Sequence, residues 1–179
     1  MHRRQFALAT LLLPLIASRI AAAPLAAAQP FTFDNIDGGT LSLDQWRGRP
    51  VLVVNTASRC GFTPQYDGLQ ELYDRYRERG LVVLAVPSND FRQELGSEAE
   101  VKEFCELTFG LDIPMTTITP VRGAGAHPLY LWLAEQGFEP SWNFNKALIG
   151  PDGTFVAGWG ATTRPMSEAI VSEIEPLLD

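Results

Sequence analysis

The chain is expected to fold as an α/β domain, a mixed central sheet with helices on both faces. Three observations point there. Residues 51–54 and 81–86 are continuously apolar, as buried strands are. A segment of helical period lies between them, so the two strands pair in parallel through a right-handed crossover. Turn signals at Asp37-Gly38-Gly39 and Pro151-Asp152-Gly153 mark hairpins near both ends, which add antiparallel strands.

The elements follow in order. Phe31-Thr32-Phe33 and Thr40-Leu41-Ser42-Leu43 form the first hairpin. Leu69, Leu72, Tyr73 and Tyr76 recur at helical spacing, which predicts an amphipathic helix over 64–79 stopped by Gly80. The strand at 81–86 ends at Pro87. Ser97-Glu98-Ala99-Glu100 reads as a capping box opening a second helix with apolar face Val101, Phe104, Cys105 and Thr108. Gly110 and Pro114 close that segment. A third helix runs from His127-Pro128 to near Gly137. Strands at 146–149 and 154–157 flank the second hairpin turn, and a last helix covers 166–175, ended by Pro176. No internal repeat or linker is visible after residue 28, so residues 29–179 are expected to be one domain.

The first 28 residues read as a signal peptide. Arg3-Arg4 precede an apolar run, and Ala26-Ala27-Ala28 offers a small-residue cleavage site near Ala28. Arg3-Arg4-Gln5-Phe6 also resembles a twin-arginine signal. The expectation is export to the periplasm without stable membrane insertion, because the clean apolar run is short of the roughly 20 residues that span a bilayer. The formal net charge is −7, from 14 basic and 21 acidic residues. Removing the leader takes away Arg3, Arg4 and Arg19 and no acid, which moves the charge to −10. Such a surface excludes nucleic acid and anionic membranes as partners. Two cysteines far apart and two histidines, one in the leader, make no metal site, and no cofactor is expected.

The segment from Asn55 to Pro64 carries the chemistry. It follows the buried strand at 51–54 and opens the first helix, so it sets Cys60 where a strand ends and a helix begins. Unpaired N–H groups at a helix start favour thiolate, the reactive form of a cysteine. Thr63-Pro64 reads as an N-cap followed by proline at the first helical position. Cys105 is the second cysteine. In an oxidising compartment the plain alternative is one structural disulfide between the two.

Cys60-Gly61-Phe62-Thr63-Pro64-Gln65-Tyr66 after Asn55-Thr56-Ala57-Ser58 resembles the active-site segment of the glutathione peroxidase family. The run from Pro87 through Asn89, Asp90, Gln93 and Glu94 to Ser97 resembles its second motif. Trp142-Asn143-Phe144-Asn145-Lys146 resembles its third. The resemblance implies a thioredoxin-like fold and reduction of hydroperoxides. It makes Cys60 the nucleophile, and Trp142 and Asn143 the partners of thiolate and peroxide. Residue 60 is cysteine, so the selenocysteine form is excluded.

One position departs from the family. A glutamine usually follows the asparagine of the second motif, and here Asp90 stands there. An ionised aspartate cannot donate to sulfur. It could be protonated, it could point away with water in its place, or the enzyme could be slow. Gln93, three residues on, is not expected to substitute.

Cys105 matches a resolving cysteine found in some members. In that cycle Cys60 becomes a sulfenic acid, Cys105 condenses with it, and an external dithiol reduces the disulfide. The alternative is a small buried hydrophobe. Only residues 137–141 separate the third helix from Trp142, which favours a monomer and an open site. Cys105 points to a thioredoxin-like reductant ahead of glutathione. Arg59, Lys146 and Arg164 would favour the thiolate if they face it, and His127 reads as a helix-start residue. The competing function is a peroxide sensor or relay that passes a Cys60–Cys105 disulfide to a partner.

Overall fold

The computed structural model describes residues 31–179, so the leader reading of residues 1–28 lies outside the described part. Four strands form the central sheet: β3 (Val51–Thr56), β4 (Val82–Pro87), β5 (Lys146–Ile149) and β6 (Phe155–Trp159). Their order is β4-β3-β5-β6. β3 and β4 pair in parallel from Val51↔Val82 to Thr56↔Pro87, while β5 pairs antiparallel with both β3 and β6. The first hairpin, β1 (Thr32–Asp34) with β2 (Thr40–Ser42), makes its own two-stranded sheet.

The expected mixed sheet is therefore observed, and the apolar runs have a physical reason. Both faces of β3, β4 and β5 are covered, so alternate residues enter two separate cores. Leu52, Val54, Val83, Ala85 and Leu148 pack with α1 (Gln65–Tyr76), α2 (Glu98–Phe109) and α4 (Glu168–Ile174), through Leu69, Leu72, Val101, Ile170 and Ile174. Val51, Val53, Leu84, Val86 and Ile149 pack with the β1–β2 hairpin and α3 (Pro128–Glu135), through Phe33, Leu41, Leu129 and Leu133. Each buried Val, Leu, Ile or Phe among them contributes about 1.5–3 kcal/mol. Among the described residues no helix is long and apolar enough to cross a membrane.

Several element ends differ from expectation. α1 ends at Tyr76 and tightens into a 3₁₀ turn at Arg77–Arg79, which Gly80 closes at φ +101°. The capping box forms: the Ser97 hydroxyl accepts the Glu100 N–H at 3.3 Å and donates to the Glu100 carboxylate. In α2, Val101 and Cys105 are buried and Phe104 half-buried, but Thr108 is exposed. Phe109 faces inward instead, its ring 5.3 Å from Tyr66. α4 begins at Glu168 and Pro176 lies in a closing 3₁₀ turn.

Candidate active site

β3 delivers the chain to a tight turn that holds Cys60. The Thr63 hydroxyl accepts the Cys60 N–H at 3.0 Å and donates to the Ala57 carbonyl at 2.8 Å. Thr63 thus braces the cysteine turn and does not cap α1. The helix start is reached through successive tight turns. Thr63 N–H donates to Cys60 O, Gln65 N–H to Phe62 O, and Tyr66 N–H to Thr63 O, all within 3.0 Å. One amide of the turn is left for the sulfur: Phe62 N–H donates to Cys60 Sγ at 3.4 Å. The thiol is 7% exposed, close to the surface but shielded.

The third motif is folded against the end of β3. Asn143 is fully buried, and its Nδ2 donates to Gln93 Oε1 at 2.9 Å. Trp142 faces outward, 41% exposed, with its ring 5.3 Å from Phe91. Between them and β5 lies Phe144, fully buried at φ +61°. The second motif is stitched to the cysteine turn. Arg59 N–H donates to Gln93 O at 2.8 Å, and Ser58 N–H donates to the Glu94 carboxylate at 3.0 Å. Leu95 N–H adds a second bond to that carboxylate at 2.8 Å. Burial pushes the Glu94 carboxyl above the usual range.

The structure places Asp90 and Gln93 of the second motif in different surroundings. Asp90 is not aimed at the thiol. Its Oδ2 accepts the N–H groups of Val121 at 2.6 Å and Arg122 at 3.1 Å, so it ties down the loop after β4's neighbour segment at 115–119. Of the three alternatives for Asp90, the carboxylate pointing elsewhere is the one observed. The carboxamide that meets Asn143 is that of Gln93, whose Oε1 accepts from Asn143 Nδ2. The chain reverses at 89–92, where Arg92 N–H donates to Asn89 O at 2.8 Å and Arg92 sits at φ +58°, which separates the directions of residues 90 and 93. The available signal was chemical: Gln93 is the carboxamide nearest Asp90 on its C-terminal side.

Cys105 is 1% exposed in the middle of α2. Burial pushes its thiol up to about 11, with the Glu94 and Glu106 carboxylates acting in the same direction. The Tyr66 hydroxyl lies beside it and lowers that value in part. Both thiols are free. On its other side Cys105 borders a cleft of about 280 Å³, rimmed by the ion pairs of Lys102 with Asp37 and Glu106.

The basic candidates separate. Arg59 and Arg164 are exposed. Arg164 lines a cleft of about 680 Å³ beside the cysteine turn, together with Gly61, Phe62, Gln65 and Met166. Lys146 is fully buried; its ammonium donates to Gln65 Oε1 and Thr163 O, and burial pulls it down to about 7. His127 caps α3, its Nδ1 accepting Leu129 N–H at 3.2 Å, and its ring stacks on Phe33 at 3.7 Å. Burial lowers its tendency to charge.

The sequence pattern of the glutathione peroxidase family matches residues 29–134. The chain is 40% identical over 154 residues to a glutathione peroxidase of Lactococcus lactis, covering 83% of this chain and 97% of that one. It is 40% identical over 160 residues to hydroperoxy fatty acid reductase gpx1 of Synechocystis, covering 83% and 94%. Over 148 residues it is 40% identical to glutathione peroxidase-like peroxiredoxin 2 of Saccharomyces cerevisiae, covering 79% and 90%. Among solved structures, the apo form of Trgpx superposes with a TM-score of 0.63 at 34% identity, covering 83% of this chain and 97% of that one. A thioredoxin family thiol:disulfide interchange protein from Chlorobium tepidum reaches a TM-score of 0.63 at 17% identity, covering 88% and 99%, which shows the shared thioredoxin-like fold.

Proposed function

The chain belongs to the glutathione peroxidase family, and on that premise we propose that its thiol-dependent reduction of hydroperoxides runs through Cys60. The Cys60 thiolate attacks the terminal oxygen of the peroxide. An S–O bond forms, the O–O bond breaks, and the departing oxygen takes a proton and leaves as alcohol or water. Cys60 is left as sulfenic acid. The Phe62 N–H, the Asn143 and Gln93 carboxamides and the Trp142 indole N–H are the donors that hold the thiolate and the developing oxyanion. Asp90 has no part in that set.

The cycle closes through Cys105. Its thiol displaces the oxygen from Cys60 as water, an S–S bond forms, and a thioredoxin-like dithiol protein reduces it. The leader reading adds that this happens outside the cytoplasm, which N-terminal sequencing of the secreted protein tests.

The observation that carries the reading is the meeting of the Asn143–Gln93 pair with the turn whose backbone N–H reaches the Cys60 sulfur. A single turnover tests it. Reduced protein is mixed with one equivalent of hydrogen peroxide, thiol loss is followed in time, and the product is mapped by mass. Rapid loss of two thiols with a Cys60–Cys105 linkage is expected. Loss of one thiol, with Cys60 trapped as sulfenic acid, would remove Cys105 from the cycle. No loss would remove the proposal.

A further inference from the structure

We propose that Asn55 is a positioning residue of the peroxide site, the staple that turns Trp142 outward and Asn143 inward. The inference rests on the reading above that those two residues act as donors.

Asn55 is the fifth residue of β3 and is 1% exposed. The ladder between β3 and β5 runs from Val51↔Ile149 to Val54↔Lys146. Beyond it the incoming chain is folded back, with Phe144 at φ +61°. A bulky side chain in that region is strained, so the surroundings must hold it there. Asn55 supplies most of that hold. Its backbone N–H donates to Asn145 O at 3.2 Å, and its carbonyl accepts Phe144 N–H at 2.6 Å. Its side chain then spans the kink: Oδ1 accepts Asn145 N–H at 3.1 Å, and Nδ2 donates to Trp142 O at 3.0 Å.

The two side-chain bonds grip opposite sides of Phe144. They fix the peptide groups that carry Trp142 and Asn143, and therefore the directions in which both side chains leave the backbone. Only a carboxamide of this length has one donor and one acceptor at those places. Aspartate keeps the shape and the acceptor, but sets oxygen against the Trp142 carbonyl. Asn55 itself is buried, so leaving its end of the bond without a partner carries a desolvation cost.

The test uses the full chain with Asn55→Asp, and Asn55→Ser as a second variant should the first fail to fold. Two rates are measured on reduced protein at one pH: thiol oxidation by hydrogen peroxide and thiol alkylation by iodoacetamide. Alkylation needs the thiolate but no oxyanion donors. The peroxide rate is expected to fall about 10- to 100-fold while alkylation changes by less than about twofold. In a Trp142→Phe, Asn143→Ala background, Asn55→Asp should add less than about twofold, because it acts through those residues. Equal loss in both reactions, a fully multiplicative loss in that background, or an unchanged peroxide rate would each overturn the inference. Wild-type peroxide rates in Trp142→Phe and Asn143→Ala alone would overturn the donor reading itself, and this inference with it.

Discussion

The two sulfurs of this chain sit in opposite surroundings. Cys60 lies on a turn, braced by Thr63, with a backbone N–H on its sulfur and the neighbouring Arg59 N–H bonded to Gln93 O. Cys105 lies within a capped helix, buried in the core with Tyr66, Val101 and Leu111 and bordering a cleft on its other side, where burial disfavours its thiolate. One group is presented and the other is stored. A group that attacks a small diffusing molecule gains from rigid donors and needs no motion. A group that must reach a partner on another element gains from being inert until that element opens. In the cycle proposed for Cys105 that opening would be local unwinding of α2, whose Lys102 is tied to the β1–β2 turn at Asp37.

Removing either sulfur separates the two roles most sharply. Cys60→Ser should lower peroxide reduction by at least about 10³-fold, read as consumption of hydrogen peroxide at saturating reductant. Cys105→Ser should leave the first oxidation within about twofold and stop recycling by a dithiol protein. Recycling at the wild-type rate would make Cys105 a core residue only.

The donor set around Cys60 comes next in size. Gln93→Ala should slow the peroxide step about 10²-fold, as loss of one oxyanion donor does elsewhere. Asp90→Asn should change that rate by less than about twofold, because a carboxamide oxygen still accepts from Val121 and Arg122. Stopped-flow traces on both variants decide whether the second motif acts through residue 93 or residue 90.

A smaller effect is expected at the latch over Cys105. Lys102→Ala should speed disulfide formation about two- to threefold without altering the first oxidation, since an exposed ion pair contributes little. Mass mapping of quenched time points distinguishes the two steps. An unchanged resolving rate would place the barrier elsewhere in α2.

The last effect concerns stability, not rate, through its dependence on pH. Lys146 is held near 7 in the folded protein against about 10.5 when solvated. Between those values the unfolded chain binds more protons than the folded one, so this residue makes stability rise with pH over that window. Lys146→Met should flatten that rise in urea midpoints measured at pH 6, 8 and 9.5. A slope equal to wild type would mean that another group sets it.

The frame of the fold was legible in the residue pattern alone. Unbroken apolar runs at 51–54 and 81–86 require a strand covered on both faces, and two such strands joined by one helix can pair only in parallel with a right-handed crossover. Local chemistry also marked Ser97 and Gly110 as helix ends, because capping depends on neighbours within a few residues. Cys60, Trp142 and Asn143 were legible from three motifs in order. What only the tertiary structure decided is which amide meets which. Gln93 reaches Asn143 across fifty positions because Arg92 reverses the chain, and Asp90 is turned to Val121 by the same reversal. Thr63 reads as a helix cap in one dimension and proves to be the brace of the cysteine turn, since its hydroxyl meets the Ala57 carbonyl first. Asn55 stands at the start of the first motif, but nothing in the sequence assigns its side chain a task. Its side chain matters only where β3 runs past the end of β5, a place that exists once the sheet has formed.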